Sequence, residues 1–104
     1  MEKQPLSPET RRRLELLFAP ADRPAAEAML VEECGNNLPF LERLDMFELE
    51  RFRFAALKLS GGDLAGLRGA VELAQSDWRD LLMGAGFGED VTEHQRWLPE
   101  AHGR

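Results

Sequence analysis

Residues 76–88 read SDWRDLLMGAGFG. Three glycines at alternate positions, 84, 86 and 88, invite the reading of a phosphate cradle, which would make the chain an α/β nucleotide binder. Such loops follow a strand and open a helix, so that backbone amides point at the anion. Here the glycines follow a helix-forming run instead. Glu89 and Asp90 come directly after them, where two carboxylates repel a phosphate. A helix that starts and stops inside the stretch accounts for every residue. Ser76 caps it, and Asp77 sits where the helix dipole favours an anion. Trp78, Leu81, Leu82 and Ala85 recur at the spacing of one buried face. Gly86 supplies the left-handed residue past the last turn, and Phe87 folds back on Leu82 as a Schellman ending requires. Arg79 and Asp80 are left on the exposed side. Trp78 is then a core residue whose truncation to alanine costs ~3–5 kcal/mol.

The same punctuation recurs along the chain. Ser7-Pro8-Glu9 reads as cap, proline at the first helical position and acid in the first turn, followed by Leu14, Leu17 and Phe18. Pro20 ends this helix near Phe18 or Ala19. A second helix starts at Asp22 to Pro24, carries Ala26, Leu30 and Cys34 on one face, and stops at Gly35 as a left-handed cap. Residues 38–59 form the longest element, striped by Phe40, Leu41, Leu44 and Phe47. Its second half is apolar on more than one side: Leu49, Phe52, Phe54, Ala55, Ala56, Leu57 and Leu59. Such a helix belongs at the centre of a bundle, with Arg51, Arg53 and Lys58 on its water-facing arc. Gly61 and Gly62 end it. Asp63 caps a fourth helix striped by Leu64, Leu67, Val71 and Ala74, in which Gly66 and Gly69 allow a close helix neighbour. A last short helix begins at Asp90 or Thr92, takes its apolar side from Val91, Trp97 and Leu98, and ends at Pro99. β-Branched residues are scarce and no run alternates as a strand does. The expectation is an all-α single domain, 1–104, with five or six helices around a long central one at about 38–59. Residues 1–6 and 100–104 are read as frayed ends.

The block RFAALKLSGGDLAGLRGAVELAQSDWRDLLMGAGF, residues 53–87, resembles one found in small uncharacterised bacterial proteins, LSxGDL followed by DWRDLLxxAGF. It covers about a third of the chain. The resemblance implies a bacterial cytosolic origin and carries no chemistry.

At 104 residues the chain can bury roughly 65% of its unfolded surface, enough for one core without staples. One cysteine, Cys34, fits a reducing compartment. The N-terminal stretch has no apolar run after its charges, and no segment approaches a membrane span, so a cytoplasmic protein is expected. The net charge of -6 is unevenly spread. Residues 21–50 hold eight acidic and two basic side chains, whereas residues 1–20 are net +1 and residues 51–104 net −1. Nucleic-acid binding is disfavoured overall, since it rests on neutralising phosphates.

Candidate chemistry is sparse. Glu42, Asp45 and Glu48 are three apart, with Glu32 and Glu33 nearby in sequence. Paired carboxylates can hold a metal or move a proton, but an inward-facing Glu-x-x-His partner is missing and these acids lie off the apolar stripe. They read as a solvated acidic face open to a basic partner, with Trp97 as an added contact. His94 reads as a partly exposed helix residue. Cys34 reads as a small buried residue whose thiol the preceding acids push up. Arg11, Arg12 and Arg13 either grip nucleic acid or pair within the fold with the acidic segment. Phe52, Phe54 or Trp97-Leu98 are the aromatic positions most apt to form an exposed patch, and hence a homodimer contact. Leu44, Phe47, Trp78, Leu81, Leu82 and Phe87 are the expected core. No catalytic residue, metal site or cofactor is expected. The leading function is a small protein-interaction module that self-associates or docks a basic partner on residues 21–50. A regulator using Arg11 to Arg13, or an enzyme with an unrecognised carboxylate site, are the alternatives.

Overall fold

The computed structural model describes residues 5–35, 46–90 and 92–99, and only the backbone of residues 46–48. Helix α1 spans Pro8–Leu17. Ser7 caps it as its sequence dictates, with Oγ accepting from the Thr10 amide at 3.1 Å. A 3-10 turn, Pro20–Asp22, leads into α2, Arg23–Glu33. Helix α3 is Met46–Ser60, α4 is Leu64–Ser76, α5 is Trp78–Ala85 and α6 is Glu93–Arg96. Among the described residues there is no strand, and the fold is an all-α bundle. Helix α3 packs against α1, α4, α5 and α6, which makes it the central element. Residues 38–45, including Leu44, lie outside the described residues, as does the side chain of Phe47.

Burial on α3 runs through every residue from 51 to 57. That all-round burial was legible in the apolar letters, but the two arginines were not. Arg51 and Arg53 do not take a water-facing arc; they are 7% and 1% exposed. Phe52 and Phe54 are likewise buried and form no exposed patch. Each guanidinium is accommodated because backbone carbonyls meet it. Arg53 Nε donates to Cys34 O at 3.0 Å and Nη1 donates to Pro5 O at 2.9 Å. Arg51 Nη2 donates to Phe87 O at 2.5 Å. Pro5 and Leu6 are therefore tied down, and Leu6 is buried.

A single rule covers these contacts. The C-terminal end of a helix carries orphan carbonyls and partial negative charge. Helices α1, α2 and α5 have no basic residue in their own last turn, and an arginine from another element supplies it. Arg23 donates to Phe18 O at 3.1 Å and Glu15 O at 2.9 Å, closing α1. Arg53 closes α2, and Arg51 reaches the carbonyl just past α5. Arg13 also reaches the end of α6, which has His94 and Arg96 in its own last turn, donating to Trp97 O at 2.9 Å and Gln95 O at 3.4 Å.

The ends of α5 sharpen the reading of residues 76–88. Ser76 is the last residue of α4, where its hydroxyl donates back to Glu72 O at 3.1 Å. The cap is Asp77, whose carboxylate accepts from the Asp80 amide at 3.2 Å. Gly86 is left-handed (φ 81°), and Phe87 N donates to Leu82 O at 2.8 Å while Gly86 N donates to Met83 O at 3.1 Å. These are the two bonds of a Schellman ending. Leu81, Leu82, Ala85 and Phe87 are buried, but Trp78 is half-buried, edge-on to Phe52 at 5.8 Å. Its truncation is accordingly expected to cost less than full burial implied.

Gly35 differs from expectation: its φ is not positive. Its smallness serves space, since a Cβ there would sit 3.0 Å from Arg53 Nη2 and 3.2 Å from Val31 O. Asp63 caps α4 as expected, accepting from the Gly66 amide at 2.9 Å. A Cβ at Gly66 would meet Ser60 O at 2.5 Å, so α4 does start in close contact with the end of α3; Gly69 has open space and no such role.

Candidate functional site

Helix α2 shows two apolar stripes. Ala26, Leu30 and the following Cys34 face the core and are fully buried. Pro24, Ala28 and Val31, spaced i, i+4, i+7, lie on the other side. With Glu27 and Glu32 they line an open groove of about 430 Å³. At about 100° per residue, Glu27 and Glu32 fall on opposite flanks of that outer stripe. The outer stripe was visible in the sequence as a second helical period, but alanine and proline give it a weak apolar signal.

The acidic segment is partly neutralised from within. Glu27 accepts both Arg11 Nη1 at 2.7 Å and Arg11 Nη2 at 2.8 Å. This fork holds the Glu27 carboxyl below its ordinary range and raises the guanidinium. Glu33 pairs with Arg68 of α4, and its carbonyl accepts from Gln75 Nε2 at 2.8 Å. Glu50 accepts from the Ser7 hydroxyl. Glu32 is exposed. Glu42 and Asp45 lie outside the described residues, and so does the side chain of Glu48. The structure thus places Glu32 on the groove, turns Glu33 toward α4, and adds Glu27, which had not been singled out.

The arginine run divides three ways. Arg11 serves Glu27 and Arg12 is exposed. Arg13 is buried, 4.1 Å above the Phe54 ring, and takes Glu9 Oε1 at 2.8 Å and Glu9 O at 3.0 Å besides its α6 carbonyls. Three consecutive cations therefore do not present one basic face.

The remaining candidates are interior. Contrary to the exposed reading, His94 is fully buried, edge-on to Phe54 at 5.3 Å and Phe87 at 6.2 Å. Trp97 packs half-buried against the same two rings, at 6.4 and 6.3 Å, and does not stand out as a partner contact. Cys34 is buried as expected. Its thiol is pushed up to about 12, but by burial rather than by the preceding acids, with Arg53 opposing the shift. Among the described residues the exposed large apolar side chains are Leu59 (38%), Met83 (63%) and Leu98 (48%). Among the described residues no three His, Cys, Asp or Glu side chains gather where a metal ion could sit. None of the described helices is long and apolar enough to cross a membrane. The chain matches no protein-family model, no curated protein and no solved structure.

Proposed function

We propose that the chain is a small protein-interaction module and that α2 docks a basic, amphipathic helix of a partner protein. The observation that carries this reading is the strip Pro24–Ala28–Val31 with Glu27 and Glu32 on its two flanks. A partner helix with an apolar i, i+3, i+4 row bordered by lysine or arginine meets that pattern in both shape and charge. Self-association through the same strip is disfavoured. A second copy would bring Glu27 and Glu32 against their own counterparts, and like charges in an interface repel. The regulator reading weakens, because Arg11 is spent on Glu27 and Arg13 is buried.

The test is direct binding of a synthetic Leu/Lys amphipathic peptide, compared with the same peptide carrying Glu for Lys. The Lys peptide is expected to bind, less tightly as salt rises, since exposed charges are screened beyond about 8 Å at physiological ionic strength. Val31→Lys should abolish binding. Arg11→Ala, which releases Glu27 from its internal partner, should tighten it several-fold. Equal binding of the two peptides, or indifference to Val31→Lys, would reject α2 as the docking face.

A further inference from the structure

We infer that residues 92–99 form a releasable strap, which opens as a unit while α1 to α5 stay folded, and that Arg13 is its latch. Helix α6 is four residues long, far below the length at which a helix holds itself. Many of its polar bonds are internal. The amides of Glu93, Gln95 and Trp97 donate to Asp90 O, Thr92 O and His94 O at 3.1, 3.1 and 3.2 Å. Arg96 pairs with Glu93 at 2.6 Å and with Asp90 at 3.8 Å. Asp90 Oδ1 also accepts from the Thr92 amide at 2.8 Å. These bonds shape the segment into one piece without fastening it to the bundle.

The fastening is concentrated. Arg13 Nε and Nη2 hold Trp97 O and Gln95 O, while Nη1 is anchored on Glu9 at the start of α1. The guanidinium carbon lies 4.1 Å over the centre of the Phe54 ring, and the rings of His94 and Trp97 pack against Phe54 and Phe87. One buried side chain thus bridges α1, α3 and both carbonyls of the strap. The link back to α5 is Gly88, Glu89 and Asp90, all exposed, followed by Val91. Lifting the strap would uncover Phe54 and Phe87, each 1% exposed in the closed form. By contrast, α3, α4 and α5 are joined by tight turns and meet through rows of buried leucine, alanine and valine, which separate only in global unfolding.

Native-state amide exchange on the full chain tests this. With each rate divided by the amide's own intrinsic exchange rate, the Glu93, Gln95 and Trp97 amides are expected to share one normalised rate and one shallow denaturant dependence. That rate should be on the order of tenfold or more above those of the Ala55, Ala56 and Leu57 amides of α3. Arg13→Met should speed the three strap amides on the order of a further tenfold and leave those of α3 and α4 near their original values. Strap amides whose normalised rate and denaturant slope match those of α3 would overturn the proposal, as would three unrelated normalised rates, which mean fraying. Acceleration of α3 by Arg13→Met as large as that of the strap would overturn the latch. The wild-type comparison decides the first point even if Arg13→Met fails to fold.

Discussion

The middle of α3 and the outer seam where α1 and α4 flank α2 use the same side chain to opposite ends. In the middle of α3, Arg51 and Arg53 are buried and their partners are carbonyls at the ends of other segments. On the seam, Arg11 and Arg68 are nearly half exposed and their partners are the carboxylates of Glu27 and Glu33. The interior pairs meet backbone carbonyls of the partner segments. The seam pairs are screened by water and compete with it. Position, not residue type, therefore sets what an arginine contributes here.

The largest effect should come from Arg53→Met. It keeps much of the volume but strands the buried carbonyl of Cys34, at about 1–3 kcal/mol for a buried acceptor left unmet, and frees that of the exposed Pro5, which water can meet. Relief of the burial that pulls the guanidinium below its usual value offsets part of this. A net loss of about 2–3 kcal/mol in urea unfolding is expected, lost packing included; a loss under about 1 kcal/mol would erase the contrast between interior and seam. Trp78→Ala comes next, because the ring is half-buried beside Phe52. About 2 kcal/mol is expected, below the range for full burial, and urea unfolding of the wild type and the variant followed by far-ultraviolet circular dichroism measures it.

Cys34 sharpens the interior side through pH. Its folded thiol value is raised from 9.0 to about 12, so its contribution is fully present below pH 9 and is lost as pH rises toward 12. At pH 10 the loss is about 1 kcal/mol. Cys34→Ala should flatten that part of the stability profile, and a wild-type thiol that reacts rapidly with a disulfide reagent at pH 8 without unfolding would contradict the burial. The smallest effect belongs to the seam. A double-mutant cycle on Arg11 and Glu27 should give a coupling of ~0.2–1 kcal/mol that fades in high salt. As Glu27 is held below its ordinary value, the pair contributes above that value and is lost as pH falls through the lowered one.

What could be read from the letters follows from how local the cause is. Ser7, Asp63 and Gly86 act within four or five residues of themselves, and the caps and stop they predict are all present. Ser76 and Asp77 are both good caps one residue apart; the sequence reading takes Ser76, and the structure uses Asp77. The misread residues have distant partners. Arg53 meets Pro5 across 48 positions and Arg13 meets Trp97 across 84. Gly35 owes its smallness to Arg53, and His94 its burial to Phe54 and Phe87. The outer strip of α2 gives a faint signal for another reason: proline, alanine and valine are small, and acids stand on both sides of them. Glu42, Asp45 and Glu48 lie where the structure describes no side chain, so the acidic face stands on Glu27 and Glu32.

The bond from Arg13 to Trp97 also sets an order of assembly. Turns of a few residues join α3 to α4 and α4 to α5, whereas that bond closes a loop of 84 positions. Loop-closure entropy grows with length, and long-range contacts form slowly. Residues 13 and 97 should therefore meet after the central hairpins have collapsed, and a ribosome-bound chain cannot make that last stitch until residue 97 has emerged.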